Sequence, residues 1–175
     1  MSWREDFEDE MTASRREMRA GAVDELGPFL AGLAPWDLFG GLTFDQRRCR
    51  HERVWGLAGG RCPRVIPIDS AKLRFEGFVR TAEMALQRRV DYVAAIEAHK
   101  NGWPHLHPLF AIEGGLMDGD VETLGRLWYK RQGYGRLEVP RSQQDVTGYC
   151  AKYLTKDLAI GTLLISARLG GGGGS

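Results

Sequence analysis

The apolar positions of the chain change period several times, and the changes divide it into elements. Leu38-Phe39-Gly40-Gly41-Leu42-Thr43-Phe44 is an apolar run short enough for a strand. Leu73, Phe78, Ala82, Ala85 and Leu86 then fall on one side of a helix that Asp69 or Ser70 can cap and that runs to about Arg89. Residues 92–98 and 104–112 are strand-like and bracket Lys100-Asn101-Gly102, a hairpin signal. Leu124, Leu127 and Trp128 return to helical spacing over 121–131, and 136–139 reads as a short strand. Ser142, with Asp145 three residues on, opens a last helix to about Asp157. Near the N-terminus, Ser2 and Glu5 suggest a capping box for a helix over 3–19, and Gly27-Pro28 interrupts a second helical stretch ending near Leu33. Residues 46–69, rich in Arg with scattered Gly and Pro, read as an irregular insertion.

The order β-α-β-β-α-β followed by a helix predicts an α+β fold, a ferredoxin-like or RRM-like βαββαβ core on an antiparallel sheet. The expected division is an N-terminal helical extension over 1–35, the principal domain over 36–160, a tail over 161–169 and a Gly/Ser linker over 170–175. Gly170 to Ser175 resembles a fusion linker, so the natural chain is expected to continue past it. No apolar run approaches the roughly 20 residues of a spanning helix, and the charged N-terminus is unlike a signal peptide. Three cysteines, Cys49, Cys62 and Cys150, favour reduced thiols and a cytoplasmic setting. The net charge of +1 gives no global signal for nucleic acid. Acids concentrate near the N-terminus, however, and the basic excess left in the remainder permits a phosphate partner. The absence of a G-x-x-x-x-G-K-[ST] loop excludes an ATP-driven helicase from this stretch.

Alternation along a strand puts His105 and His107 on one face, where two imidazoles can share a metal ion. The bland alternative is a pair of polar residues on a solvated strand. A three-residue loop at Lys100-Asn101-Gly102, with Gly102 left-handed, would set His99 opposite Trp103 and Glu97 opposite His105. A two-residue turn would flip the parity and send Glu97 to the other face. We expect the three-residue loop, which gathers three potential ligands, with His99 at the rim. Pro108 cannot donate to a ladder, so a bulge or an unpaired amide position is expected just past His107. A zinc module from Cys49, His51 and Cys62 would lack a fourth ligand.

On a helix, Tyr149 and Tyr153 lie one turn apart, with Lys152 on the flank of that face and Lys156 a turn beyond. A tyrosine attacking a phosphodiester needs the phosphate charge neutralised, and a metal on one side and a lysine on the other supply this. Aromatic packing of a terminal helix is the ordinary reading of such a pair. The lysine and the upstream histidines argue against it.

Together these motifs resemble an HUH endonuclease of the rolling-circle replication initiator type. Leu38 to Phe44 resembles the family's first motif, an apolar strand ending in Leu-Thr-Phe. Glu97 through His105-Leu106-His107 resembles the second, and Tyr149-Cys150-Ala151-Lys152-Tyr153 the third, in the two-tyrosine form of single-stranded DNA phage and plasmid initiators. The resemblance covers roughly residues 36–158. It implies that Glu97, His105 and His107 hold Mg or Mn. Tyr149 would attack to leave a 5′-phosphotyrosine, Tyr153 would be the second nucleophile, and Lys152 would contact the phosphate. It also implies single-stranded or hairpin origin DNA as substrate, a host helicase and polymerase as partners, and a bacterial cytoplasm. Candidate DNA contacts are Arg47, Arg48, Arg88, Arg141 and Lys156. A single-strand transposase uses the same parts but typically one tyrosine. A relaxase usually places its tyrosine before the histidines. A non-catalytic RRM-like binder would want exposed aromatics where the acid and histidines stand.

Overall fold

The computed structural model describes residues 25–45, 66–98, 102–146 and 162–170. Among them, α1 spans residues 25–33, β1 Leu38–Phe44, α2 Ile68–Leu86, β2 Val90–Ala98 and β3 Pro104–Ile112. They are followed by α3 Asp120–Arg131, β4 Gly133–Glu138, a helical turn α4 over 143–146, β5 Thr162–Ile165 and α5 Ala167–Gly170. The strands form one sheet in the order β4-β1-β3-β2-β5, antiparallel at every junction. The first four strands have the arrangement expected of a βαββαβ core, with β3 inserted between β1 and β2.

Each face of the sheet carries its own core. On one side α2 and α3 cover Leu38, Leu42, Ile96, Leu106 and Phe110. Phe75 and Phe78 of α2 pack there against Phe110, and Phe78 meets Trp128 of α3 edge-on at 5.3 Å. Burying each such ring stabilises the fold by about 1.5–3 kcal/mol. The opposite face is covered at one end only, where Leu30 of α1, Trp36 and Val146 of α4 pack on Val93 and Leu109. The rest of that face holds His105, His107 and Glu97.

Several boundaries differ from those read in the sequence. Helix α1 runs through Gly27-Pro28 without a break, since proline's fixed φ is itself helical. Helix α2 begins at Ile68 after an extended Pro67, with no side-chain cap from Asp69 or Ser70, and ends at Gln87 in the left-handed region. Its buried side is Ala71, Phe75, Phe78, Val79 and Ala82, while Leu73 is 64% exposed. Strand β4 starts three residues early because Gly133 turns the chain directly out of α3 at φ 155°. The stretch read as a tail supplies β5, which pairs with β2 and buries Leu164. Arg168 fastens that segment to Asp91 and Glu83 at 2.8 and 2.7 Å. The expected capping box at Ser2 and the insertion over 46–65 lie outside the described residues.

Candidate functional site

The hairpin register decides the site. Strands β2 and β3 pair Ala98↔Pro104 and Glu97↔His105, and Gly102 takes a φ of 81°. This is the parity of the three-residue loop, with the left-handed glycine where the loop requires one; His99 to Asn101 lie outside the described residues. Glu97, His105 and His107 therefore share a face. The Nε2 of His107 lies 3.1 Å from Oε2 of Glu97, and both side chains are largely buried. The rings of His105 and His107 stand 4.6 Å apart at 69°.

His105 is held from the other side. Its cross-strand neighbour on β1 is Thr43, whose hydroxyl lies 2.8 Å from Nδ1. Its Nε2 rests over Gly41, where a Cβ would come within 3.0 Å, so only glycine accepts this ring position without a shift. If Nδ1–H donates to Thr43, the Nε2 lone pair is left as a ligand, the usual orientation of a metal-bound imidazole by its surroundings. Trp128 steadies the row from beneath the sheet: its indole N–H reaches the carbonyls of Thr43 and Tyr134 at 3.3 and 3.1 Å. In the sequence Thr43 stands inside an apolar motif and drew no role of its own. A threonine at an alternate position of that strand was the available signal.

Two imidazoles and a carboxylate on one sheet face are suitable donors for a divalent ion. Glu97 and His107 already meet, and His105 is adjacent but turned toward β1. Among the described residues, no three His, Cys, Asp or Glu side chains converge on one point as they stand. A three-ligand site therefore requires His105 to rotate away from Gly41, and the Glu97–His107 hydrogen bond to open around the ion.

Pro108 sits in central β3 as expected, opposite Ala94 on β2. Toward β1 the pairing steps from Phe39↔Leu109 to Leu42↔Leu106, skipping the stretch beside His107-Pro108. The missing amide is accommodated by that gap.

Tyr149, Lys152, Tyr153, Lys156, Arg47 and Arg48 lie outside the described residues. The helix expected to carry the tyrosines does begin as read. The hydroxyl of Ser142 accepts from the Asp145 amide at 3.1 Å, and α4 buries Val146 on the histidine face. Arg141 is exposed just before this cap. Arg88 is a correction to the expected DNA contacts. Its guanidinium donates to Asp120 at 2.5 Å and to the Gly115 carbonyl at 2.7 Å, and only 15% of its side chain is exposed. It also precedes Val90, at the end of β2 opposite Glu97, so it secures the turn into β2 rather than facing the histidines.

A family model for the replication-associated proteins of the ORF2 and gene II protein type matches residues 38–158. No curated protein matches the chain in sequence. Among solved structures, a similar chain is the N-terminal nuclease domain of Minute virus of mice non-structural protein-1. That protein has Zn2+ coordinated in its active-site pocket and recognises DNA at the origin of replication. The identity is 10%, the TM-score 0.31, and the match covers 82% of this chain and 72% of that one. The family match takes in β1 with Thr43, the paired strands with Glu97, His105 and His107, and the segment through Tyr149 and Tyr153: the chain belongs to the replication-associated protein family of the ORF2 and gene II protein type.

Proposed function

We propose that the protein is a metal-dependent endonuclease that nicks and rejoins single-stranded DNA at an origin, starting and ending rolling-circle replication. The observation that carries this reading is the register that puts Glu97 on the face of His105 and His107, with Val146 buried on that same face. Tyr149 follows Val146 by three residues, a stretch that spans at most about 11 Å. Whatever its conformation, that stretch keeps the tyrosine near the histidine face.

Glu97, His105 and His107 would hold Mg or Mn, which supplies charge neutralisation at the scissile phosphate. In the nicking step the Tyr149 phenol oxygen attacks phosphorus and loses its proton to solvent or a neighbouring base. The P–O3′ bond breaks, and the departing 3′ oxygen takes up a proton. The products are a 5′-phosphotyrosine and a free 3′-hydroxyl from which a host polymerase, with a host helicase, can extend. Lys152 steadies the phosphate charge, and Tyr153 repeats the attack when the circle closes. Arg47, Arg48, Arg141 and Lys156 are the candidate backbone contacts. The setting is a bacterial cytoplasm.

Incubating the protein with Mn and a pool of labelled single-stranded hairpin oligonucleotides tests the reading. SDS-stable protein–DNA adducts that vanish with a chelator are expected. Absence of adducts across the pool, with metal bound, contradicts it.

A further inference from the structure

Beside His105, on the same face, a groove of about 390 Å³ runs between β1 and the edge strand β4. Gly41 gives it a bare backbone floor, Phe39, Tyr134, Arg136 and Glu138 form its walls, and His105 closes one end. We propose that this groove binds one unpaired nucleobase beside the scissile phosphate, stacked on Tyr134, with the Arg136–Glu138 pair reading its polar edge. The proposal rests on the reading of the histidine face as a DNA-cutting site.

Strand pairing places the groove in line with that site. Tyr134 pairs with Thr43, Thr43 with His105 and His105 with Glu97, a single row across four strands. Two strand spacings, roughly 10 Å, separate Tyr134 from His105. That is the distance from a phosphate to the base of a neighbouring nucleotide. Tyr134 is 64% exposed, and its ring is backed edge-on by Tyr129 at 5.7 Å. A ring so supported is a platform whose open side a base can cover, and stacking of this kind accepts any base.

The second observation concerns the polar pair. The Nε of Arg136 donates to Glu138 at 2.7 Å, with 82% and 42% of the two side chains exposed. An ion pair this exposed contributes at most about 1 kcal/mol to stability. Its chemistry suits recognition better. With Nε engaged, the terminal guanidinium N–H groups and the second carboxylate oxygen stand side by side as donors and acceptor. Such a set matches the hydrogen-bonding edge of a base, and only an unpaired base has its Watson–Crick edge available.

The test measures binding of short fluorescein-labelled oligo-dT, oligo-dA and oligo-dC to the full chain by anisotropy, beside the adduct assay. Tyr134→Ala is expected to weaken binding to every homopolymer about 5- to 100-fold, with Tyr134→Trp restoring it. Arg136→Ala and Glu138→Gln are expected to change the ranking of the homopolymers. All variants should bind Mn and melt as the parent does. If the parent forms adducts and Tyr134→Ala binds as tightly as it does, the groove is overturned while the nuclease reading stands. If Arg136→Ala only flattens the salt dependence, by about 0.7 in log–log slope, with the ranking unchanged, edge reading is overturned. Stacking loss without adducts from any substrate supports the groove and counts against the nuclease. A parent that binds no single strand at all overturns the proposal.

Discussion

At the residue scale, the site depends on small choices at positions next to the ligands. Thr43 gives His105 a partner and Gly41 gives its ring room, both from β1. Thr43→Val preserves shape and removes the hydroxyl. It is expected to weaken Mn binding about 10- to 100-fold with little change in melting temperature, as titration calorimetry and a thermal scan would show. Unchanged affinity would leave Thr43 without a role in orienting the ring. The two histidines and their common face were legible in the sequence because alternation along a strand is a local rule. Glu97 was legible only through the loop at Gly102, since one residue more or less there reverses its face. Thr43 was not legible as a partner, because its contact spans two strands distant in sequence.

At the element scale, the backbone around the site is held by features whose signals vary in clarity. Ser142 was readable as a cap, and its hydroxyl does accept from the Asp145 amide. Ser142→Ala is therefore expected to cost about 1 kcal/mol in urea unfolding. Gly133 was not readable, although β4 depends on it. At φ 155° a Cβ there would lie 2.4 Å from both the Asp45 nitrogen and the Thr43 carbonyl oxygen. Gly133→Ala is expected to destabilise the protein by more than about 2 kcal/mol, and a loss below that would mean that β4 can shift aside. The glycines at 133 and 135 also hid the period of this strand, because they leave its helix-facing positions without apolar side chains. Strand β5 escaped notice for a different reason: four residues are too few to show a period, and its pairing with β2 is long-range.

At the scale of the whole molecule, one sheet face is fully covered by helices and the other only in part, which leaves the site open beside a packed core. The turn into β2 is secured by Arg88 and Asp120, both largely buried. Burial raises the Asp120 carboxyl, but hydrogen bonds from the Met117 amide and Arg88 outweigh it and hold the carboxyl below its usual range. A depressed folded value contributes stability above the unfolded value of about 3.9. That contribution disappears as pH falls through the lower, folded value. Acid unfolding curves for the parent and Asp120→Asn should therefore converge in this window. Arg88→Ala strands a buried carboxylate and is expected to cost about 3 kcal/mol without altering single-strand affinity. A selective loss of DNA binding would return Arg88 to the interface.

The central claim is that Tyr149 becomes covalently joined to a 5′ phosphate beside the Glu97, His105 and His107 cluster. Trypsin separates the two candidate nucleophiles, because cleavage after Arg141 and Lys152 puts Tyr149 in the peptide 142–152 and Tyr153 in 153–156. Mass spectrometry of the digested adduct from the first nicking event should find the nucleotide on peptide 142–152, and none after Tyr149→Phe. A nucleotide carried only on 153–156, or an unchanged yield of adduct from Tyr149→Phe, would contradict the account.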